Sequence, residues 1–160
     1  MKAWLRVMMG SLAIVAVSSA GAEPGERTGD AFPGIEHVGT GESVNEVEAR
    51  LREALESRGL RLFSVIDHTR NAAGTGLELP PTRTVIFGNP KVGTPMMQCQ
   101  GSAALDLPQK MVIRKEGDGT RIEWNAPGYL AQRHGLRDCE LPLEKIATVL
   151  EEVAREAAGQ

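Results

Sequence analysis

Residues 87–97, with the sequence FGNPKVGTPMM, constrain the fold of this chain more than any other stretch. The apolar segment 82–87 that leads into them has the pattern of a strand. Thr94 followed by Pro95 is typical of a helix start, because the hydroxyl caps free amides and proline lacks the N–H that would stay unpaired there. We therefore predict a sharp corner at which a strand over 82–87 turns into a helix over 96–104.

Two amphipathic helices are predicted, one before the corner and one after it. Ser43 and Glu46 form a capping box, and the apolar residues that follow recur every three or four positions until Gly59 ends the pattern. A second stripe of this kind begins after Pro142. Between the corner and that last helix, a shorter helix is predicted with Asn125 as its cap.

Strand patterns alternate with these helices at 60–66, 82–87, 110–115 and 120–125, with a weaker one at 35–41. Segment 60–66 is apolar on both faces, so we predict a strand near the sheet centre. The sequence Gly117-Asp118-Gly119 predicts a hairpin between the last two strands. Because each amphipathic helix needs a sheet face to cover, the predicted fold is a single α+β domain at 35–158, with helices packed on a mostly antiparallel or mixed sheet.

The first residues of the chain have the three parts of a secretory signal peptide. Lys2 and Arg6 precede an apolar run over 7–17, and small residues follow up to Ala22. That run is too short to cross a bilayer core of roughly 30 Å, so we expect cleavage after Ala22. The predictions are a signal peptide at 1–22, a flexible tail at 23–34, and an exported protein, periplasmic or secreted, with no membrane anchor after cleavage.

Charge and aromatic content argue against nucleic acid as a partner. The chain has 21 Asp and Glu against 18 Lys and Arg, giving a net charge of −3, and the two signs are interspersed. Nucleic-acid binding depends on a basic stripe that neutralises phosphates. Three Phe, two Trp and one Tyr also leave few rings for stacking on bases. We therefore expect no nucleic-acid binding.

Cys99 and Cys139 are the two cysteines of the sequence. An exported chain with an even number of cysteines usually joins them, so we predict a structural disulfide. Closing a loop of about 41 residues would stabilise the domain by roughly 4 kcal/mol through the entropy of the unfolded chain. The spacing differs from the Cys-x-x-Cys spacing of redox-active pairs.

Four short motifs follow one another along the chain: FSVIDH at 63–68, PTRTVIFGNP at 81–90, GTPMM at 93–97 and ALDLP at 104–108. Together they resemble DUF302, a family of domains of unknown function, over about residues 35–157. The resemblance implies a compact α+β domain that pairs into homodimers, with no assigned reaction and no catalytic residues to carry over. Neither cysteine belongs to the family pattern, so a disulfide would be a feature of this chain.

The corner also offers the best candidates for a binding site. Its glycine spacing is similar to that of a phosphate-binding loop, but the final Lys-Ser/Thr pair is missing and two prolines remove N–H groups. A helix start beside a lysine still attracts a carboxylate or another small anion. The alternative is a rigid structural turn. We predict a site for a small ligand at Asn89, Lys91, Gly93, Thr94, His68 and Asp106.

A soft-metal site is a second hypothesis. Thioether, thiolate and imidazole ligands together suit Cu(I), and the candidate ligands are Met96, Met97 and His134. Cys99 shares a predicted helical face with Met96, but a disulfide would remove it, and no pair has diagnostic metal spacing. Methionines commonly fill irregular gaps in cores. The main interpretation therefore includes no metal and no other cofactor.

A hydrolytic enzyme is a third hypothesis, with Asp67, His68, Asp106 and Lys91 brought together by the fold. Asp67 and His68 are neighbours that point to opposite faces of a strand, so alone they cannot serve as an acid and its oriented base. Asp106 can fix a local turn, and His134 suits the negative end of a helix dipole. The sequence contains no Gly-x-Ser-x-Gly elbow.

The first hypothesis is therefore a non-catalytic exported binding module for an unidentified small ligand or partner. Its binding surface would be the turn at 89–94 and its neighbours, because the unusual residues of the chain are concentrated there. Pairing into a homodimer is expected from the family resemblance.

Overall fold

The structure is a computed structural model and describes residues 32–160. Its five strands form one antiparallel sheet in the order β1-β5-β4-β3-β2. The strands are β1 (Ile35–Thr40), β2 (Arg61–Asp67), β3 (Thr82–Gly88), β4 (Gln109–Glu116) and β5 (Gly119–Asn125). The helices are α1 (Val44–Ser57), α2 (His68–Ala73), α3 (Pro90–Cys99), α4 (Pro127–His134) and α5 (Leu143–Ala157), with two 3₁₀ helices, η1 (Gly101–Leu105) and η2 (Leu136–Asp138).

The predicted α+β class, with an antiparallel sheet and helices packed on it, is confirmed. The predicted signal peptide at 1–22 lies outside the described residues, as does the predicted tail up to residue 31. Among residues 32–160, none of the helices combines the length and the apolar character needed to cross a membrane.

The main core lies between the sheet and the two long helices, α1 and α5. The capping box predicted for α1 is present: Ser43 Oγ accepts from the Glu46 amide at 3.3 Å, and Glu46 Oε2 accepts from the Ser43 amide at 3.0 Å. Apolar side chains at alternate strand positions meet the helical stripes. The most deeply buried members of this core include Val47, Leu51, Leu55, Val85, Phe87, Met111, Ile113, Ile122 and Val153.

The prediction that segment 60–66 lies at the sheet centre is wrong, because β2 is an edge strand. A register shift between Leu62 and Ser64 inserts an extra residue in β2 opposite β3. This bulge lets Leu62 and Val65, which are three positions apart, both pack against the main core. It leaves Phe63 41% exposed. The apolar residues on both faces of β2 therefore result from a bulge, and β2 is not covered on both faces.

The turn from a strand into a helix at the corner was predicted correctly, but the start of the helix was placed too late in the chain. The helix begins at Pro90, with Asn89 as its cap, and Asn89 Oδ1 accepts from the Lys91 amide at 2.9 Å. Thr94 is not the cap, and Pro95 lies inside α3. Asn89-Pro90 carries the same cap-and-proline signal as Thr94-Pro95 and comes first along the chain. The predicted helix over 96–104 is instead the end of α3 followed by η1.

A second, smaller cluster lies where α3, η1, α4 and η2 meet. Its buried members are Met96, Ala103, Ala131 and Leu136. The predicted disulfide between Cys99 and Cys139 is present, with Cα atoms 6.4 Å apart, and it joins the end of α3 to the residue after η2. Asn125 does not cap α4 as predicted, since the cap position is Ala126 and makes no side-chain cap bond.

Candidate functional site

An open cavity of about 720 Å³ lies beside the corner. Most of its lining comes from α3, with the residues that lead into it, and from α5. The start of β2, the end of β3 and the start of α4 contribute further lining residues. The volume falls within the range of roughly 300–1,000 Å³ that is usual for sites that hold small molecules.

The cavity is mainly apolar. Phe87, Met96, Leu130 and Leu150 belong to its lining and are otherwise buried, while Phe63 contributes a half-exposed ring. The uncharged polar side chains in the lining are those of Asn89, Thr94 and Gln109, and the charged ones are those of Arg58, Lys145 and Glu152. A site that is mostly apolar with a few polar groups orients a ligand through those groups.

Two glycines of the corner keep space open at the cavity. A Cβ atom on Gly93 would lie 3.8 Å from Leu107 Cδ1, which is ordinary van der Waals contact, so any longer side chain would extend into the space beside Leu107. A Cβ atom on Gly88 would lie 3.7 Å from the ring of Phe63. Both glycines and both of these neighbours line the cavity. The missing side chains of Gly88 and Gly93 therefore help to shape the cavity, together with the side chains that line it.

The structure places three of the six predicted ligand-binding residues on the cavity wall: Asn89, Gly93 and Thr94. Lys91 is exposed and is not part of the lining. The side-chain oxygen of Asn89 is already bonded to the Lys91 amide as a helix cap. The predicted surface at the corner is therefore open, but it is an apolar recess and not an anion cradle centred on Lys91.

His68 and Asp67 lie far from the corner. Asp67 pairs with Arg83 and Gly88 pairs with Arg61, so the two ends of the β2–β3 ladder are separated by about 17 Å. Asp67 Oδ1 caps α2 by accepting from the Arg70 amide at 2.9 Å, and His68 Nε2 lies 2.8 Å from Thr84 Oγ1. The fold does not bring these two residues together with Lys91 and Asp106.

Asp106 instead contacts His134, a residue with which no sequence pattern pairs it. His134 Nε2 lies 2.6 Å from Asp106 Oδ2, and His134 Nδ1 lies 3.0 Å from Ser102 Oγ. The His134 side chain is 4% exposed and that of Asp106 is 13% exposed. Arg133 Nη1 lies 3.4 Å from the same carboxylate oxygen. These residues connect η1 and the residue after it with the end of α4.

A family model described as a domain of unknown function, DUF302, matches residues 36–153. The chain belongs to the DUF302 family. The resemblance seen in the four sequence motifs is therefore confirmed. A solved structure described as an uncharacterized conserved protein DUF302 from Bacillus stearothermophilus has a TM-score of 0.60 and 19% sequence identity, covering 80% of this chain and 95% of that one. At this identity the likeness to that structure concerns the fold alone.

Relatives of this DUF302 chain occur among longer proteins. It is 36% identical over 128 residues to a protein named fluoride-specific ion channel FluC 1 of Brucella suis biovar 1 (strain 1330), covering 79% of this chain and 50% of that protein. The same identity and length hold for fluoride-specific ion channel FluC 2 of Brucella melitensis biotype 1, with 47% of that protein covered. The DUF302 chain thus spans about half the length of the curated relatives it matches.

Sequence reasoning missed the half of the cavity that α5 and β2 provide. Ile146, Val149 and Leu150 belong to the apolar stripe that is predicted after Pro142, and all three line the cavity. Phe63 lies in segment 60–66, which is predicted as a strand near the sheet centre, yet its ring forms part of the open lining. An edge strand buries one face, so the apolar residue Phe63 on the other face of β2 is the one signal in the DUF302 sequence that could have indicated this site.

The candidate soft-metal ligands lie in two different parts of the structure. Met96 and Met97 line the cavity, whereas both ring nitrogens of His134 are bonded to Ser102 and Asp106. Cys99 is in the disulfide. Across residues 32–160 no three His, Cys, Asp or Glu side chains cluster in a way that could hold a metal ion. His134 would have to leave a partner to join the methionines.

A charged network occupies the sheet face that the main core leaves open. Ile113 points into the core, so its neighbour Arg114 points to the other face. Arg114 binds Glu123 through two bonds, Nε to Oε2 at 2.8 Å and Nη2 to Oε1 at 3.0 Å. These hydrogen bonds lower the pKa of the Glu123 carboxyl, partial burial opposes the shift, and the charges of Arg114 and Arg121 add to it.

Proposed function

We propose that this protein is an exported binding module whose ligand is a small, mainly apolar molecule held in the cavity beside the corner. The observation that carries the proposal is the cavity of about 720 Å³ between α3 and α5, lined mostly by apolar side chains. A recess of this size would bury most of a small ligand, and hydrophobic burial contributes about 25 cal/mol per Å² of apolar surface removed from water.

The polar groups of the lining indicate which polar groups the ligand carries. Thr94, Asn89 and Gln109 offer hydroxyl and amide groups among otherwise apolar neighbours. The Gln109 amide donates to the Asn125 carbonyl at 3.2 Å, and the Asn89 oxygen caps α3, so both side chains are held in place. Arg58 is bound to Glu156 at 2.6 Å. The expected ligand therefore has an apolar body and a hydrogen-bonding group that faces the start of α3.

Export and pairing into a homodimer are further parts of the proposal. Export is supported by the signal-peptide pattern at 1–22, and pairing is supported by the family resemblance. Channel activity is not transferred from the Brucella proteins, because the alignment covers only about half of each of them.

The first experiment looks for the ligand and the oligomeric state together. Native mass spectrometry of the processed protein, purified without denaturation, reports bound species and stoichiometry in one measurement. We expect a retained small molecule or, for protein that has lost it, saturable binding of the fluorescent apolar probe 1-anilinonaphthalene-8-sulfonate. A protein that retains nothing and does not bind the probe contradicts the proposed function.

A filled cavity tests the location of the site. In Gly93→Leu the new side chain extends beside Leu107 into the cavity, and we expect at least a tenfold loss of probe affinity. Gly93→Ala adds only the Cβ atom in ordinary contact with Leu107 and should bind almost normally. Gly39→Leu makes the same chemical change on β1, where nothing lies within 4 Å, and serves as the matched control. Equal binding by Gly93→Leu and Gly39→Leu places the site elsewhere.

A further inference from the structure

Ser102, His134 and Asp106 form a continuous chain of hydrogen bonds outside the cavity. The Ser102 hydroxyl lies 3.0 Å from His134 Nδ1, and His134 Nε2 lies 2.6 Å from Asp106 Oδ2. The histidine is buried, the aspartate is nearly so, and the serine is exposed. None of the three belongs to the cavity lining. A hydroxyl at the surface is thus connected through an imidazole to a carboxylate in the interior.

The aspartate determines which ring nitrogen is free to accept a proton. A carboxylate has no hydrogen to donate, so the short contact with Asp106 requires that His134 Nε2 carry the hydrogen. In the neutral imidazole the other nitrogen, Nδ1, is then an acceptor, and Ser102 Oγ–H donates to it. This is the tautomer in which His134 can remove the serine proton.

The arrangement has the connectivity of a serine hydrolase triad, with the two ring nitrogens exchanged. In such triads the carboxylate holds the imidazole in one tautomer and the imidazole acts as the base toward the hydroxyl. Either nitrogen of an imidazole can act as the base, and the tautomer determines which one does. Triads occur on unrelated folds and are recognised by geometry and role, not by their position in the sequence.

We propose that Ser102 is the nucleophile of an acyl-transfer site, with His134 as its general base and Asp106 as the positioning residue. The substrate class is carboxylic esters whose acyl group can reach the exposed hydroxyl. Ser102 Oγ forms a bond to the acyl carbon while its proton moves to His134 Nδ1. The bond to the leaving alkoxide breaks, and the alkoxide takes that proton. Water then reverses the sequence, releasing the carboxylic acid and the free serine.

Covalent labelling tests the nucleophile directly. We expect diisopropyl fluorophosphate to modify the purified protein once, with the Ser102 oxygen replacing fluoride at phosphorus, and peptide mapping to locate the adduct on Ser102. The acyl donor p-nitrophenyl acetate should produce a burst of nitrophenol and a transient acetyl adduct on the same residue. Ser102→Ala should lose both adducts, and the exposed control Ser64→Ala should keep them.

Asp106→Asn tests whether the hydrogen bonds of His134 support a reactive serine or have a structural role only. The asparagine amide can donate to His134 Nε2, which moves the ring hydrogen to Nδ1 and removes the base from the serine. We expect labelling to slow by about 100-fold or more, the usual range for a general base. Ser102→Ala removes the hydrogen bond between Ser102 and His134 and keeps the contact between His134 and Asp106, so we expect only a small fall in its thermal midpoint.

Three outcomes overturn the proposal: no adduct on the unmodified protein, an adduct that persists in Ser102→Ala, or equal labelling rates in folded Asp106→Asn and the unmodified protein. If Asp106→Asn does not fold, Ser102→Ala and Ser64→Ala still decide the assignment. None of the three residues, Ser102, His134 and Asp106, lines the cavity. Loss of probe binding and loss of labelling therefore report on different proposals.

Discussion

The main core and the second cluster are held together by different means. Among residues 32–160, 17 buried residues make up the main core, whereas four make up the second cluster. The main core relies on apolar burial between the sheet and two long helices. The second cluster, at the junction of α3, η1, α4 and η2, adds the Cys99–Cys139 bond and the Asp106–His134 contact. Where apolar burial is small, covalent and polar links take its place.

This difference is related to where function can reside. The cavity is lined by members of both regions, Phe87 and Leu150 of the main core and Met96 of the second cluster, while Leu107 packs against the second cluster. Ser102 and His134 lie beside it on η1 and α4. Close packing leaves no room for a ligand in the main core, while a thinly packed region stabilised by cross-links can leave space open and expose a reactive group.

Removing the disulfide should have the largest effect and should act on the second cluster. For Cys99→Ala with Cys139→Ala we expect a loss of roughly 4 kcal/mol in the free energy of unfolding, measured by urea denaturation, because the unfolded chain is no longer constrained. Hydrogen exchange should increase most in α3, η1 and α4. A uniform increase across α1 and the sheet would mean that the two regions are not distinct.

Truncating the main core should have a slightly smaller effect and a different distribution. Leu51 is fully buried in α1, and Leu51→Ala should lower the free energy of unfolding by about 3 kcal/mol through lost burial and a residual cavity. Probe binding beside α3 should persist in the folded protein. Leu77→Ala, at a residue that is 67% exposed, is the control and should change stability by less than about 0.5 kcal/mol. Equal losses in the two variants would show that Leu51 is not part of the core.

The charged network on the open sheet face should contribute least and should depend on pH. The pKa of Glu123 is lowered in the folded protein, so its stabilisation is present above the unfolded value of about 4.3 and is lost as pH falls through the folded value. Glu123→Gln should therefore cost about 1 kcal/mol at neutral pH and progressively less below pH of about 4. Denaturation at several pH values measures this, with Glu53→Gln as an exposed control. A difference that is constant with pH would rule out the ion pair as its source.

Local signals in the sequence predicted the elements that depend on neighbours along the chain. The capping box of α1, the hairpin between β4 and β5, and the stripe of α5 are each determined within a few residues. The start of α3 was misplaced because two cap-and-proline pairs, Asn89-Pro90 and Thr94-Pro95, carry the same local signal. Choosing between the two pairs requires knowing where the sheet ends, and local sequence patterns do not contain that information.

The candidate sites could be predicted only in part, since they depend on contacts between distant residues. The corner was identified, but much of the cavity lining comes from α5, more than one element away. Asp106 and His134 each had a local explanation, a turn and a helix dipole, and their mutual contact spans 28 positions. Ser102 has no sequence pattern around it that would mark it as reactive. Its assignment required the fold to bring η1 against α4.

The place of β1 in the sheet determines when a growing polypeptide can complete its fold. β1 leaves the ribosome first among the strands, yet its neighbour β5 is the last of them, and Thr40 Oγ1 is bonded to the carbonyl of Ala158 near the C-terminus. The sheet therefore stays incomplete until β5 has followed the other four strands out of the ribosome. Contacts between residues so far apart in the sequence slow folding, because closing a long loop costs entropy before the contacts can form.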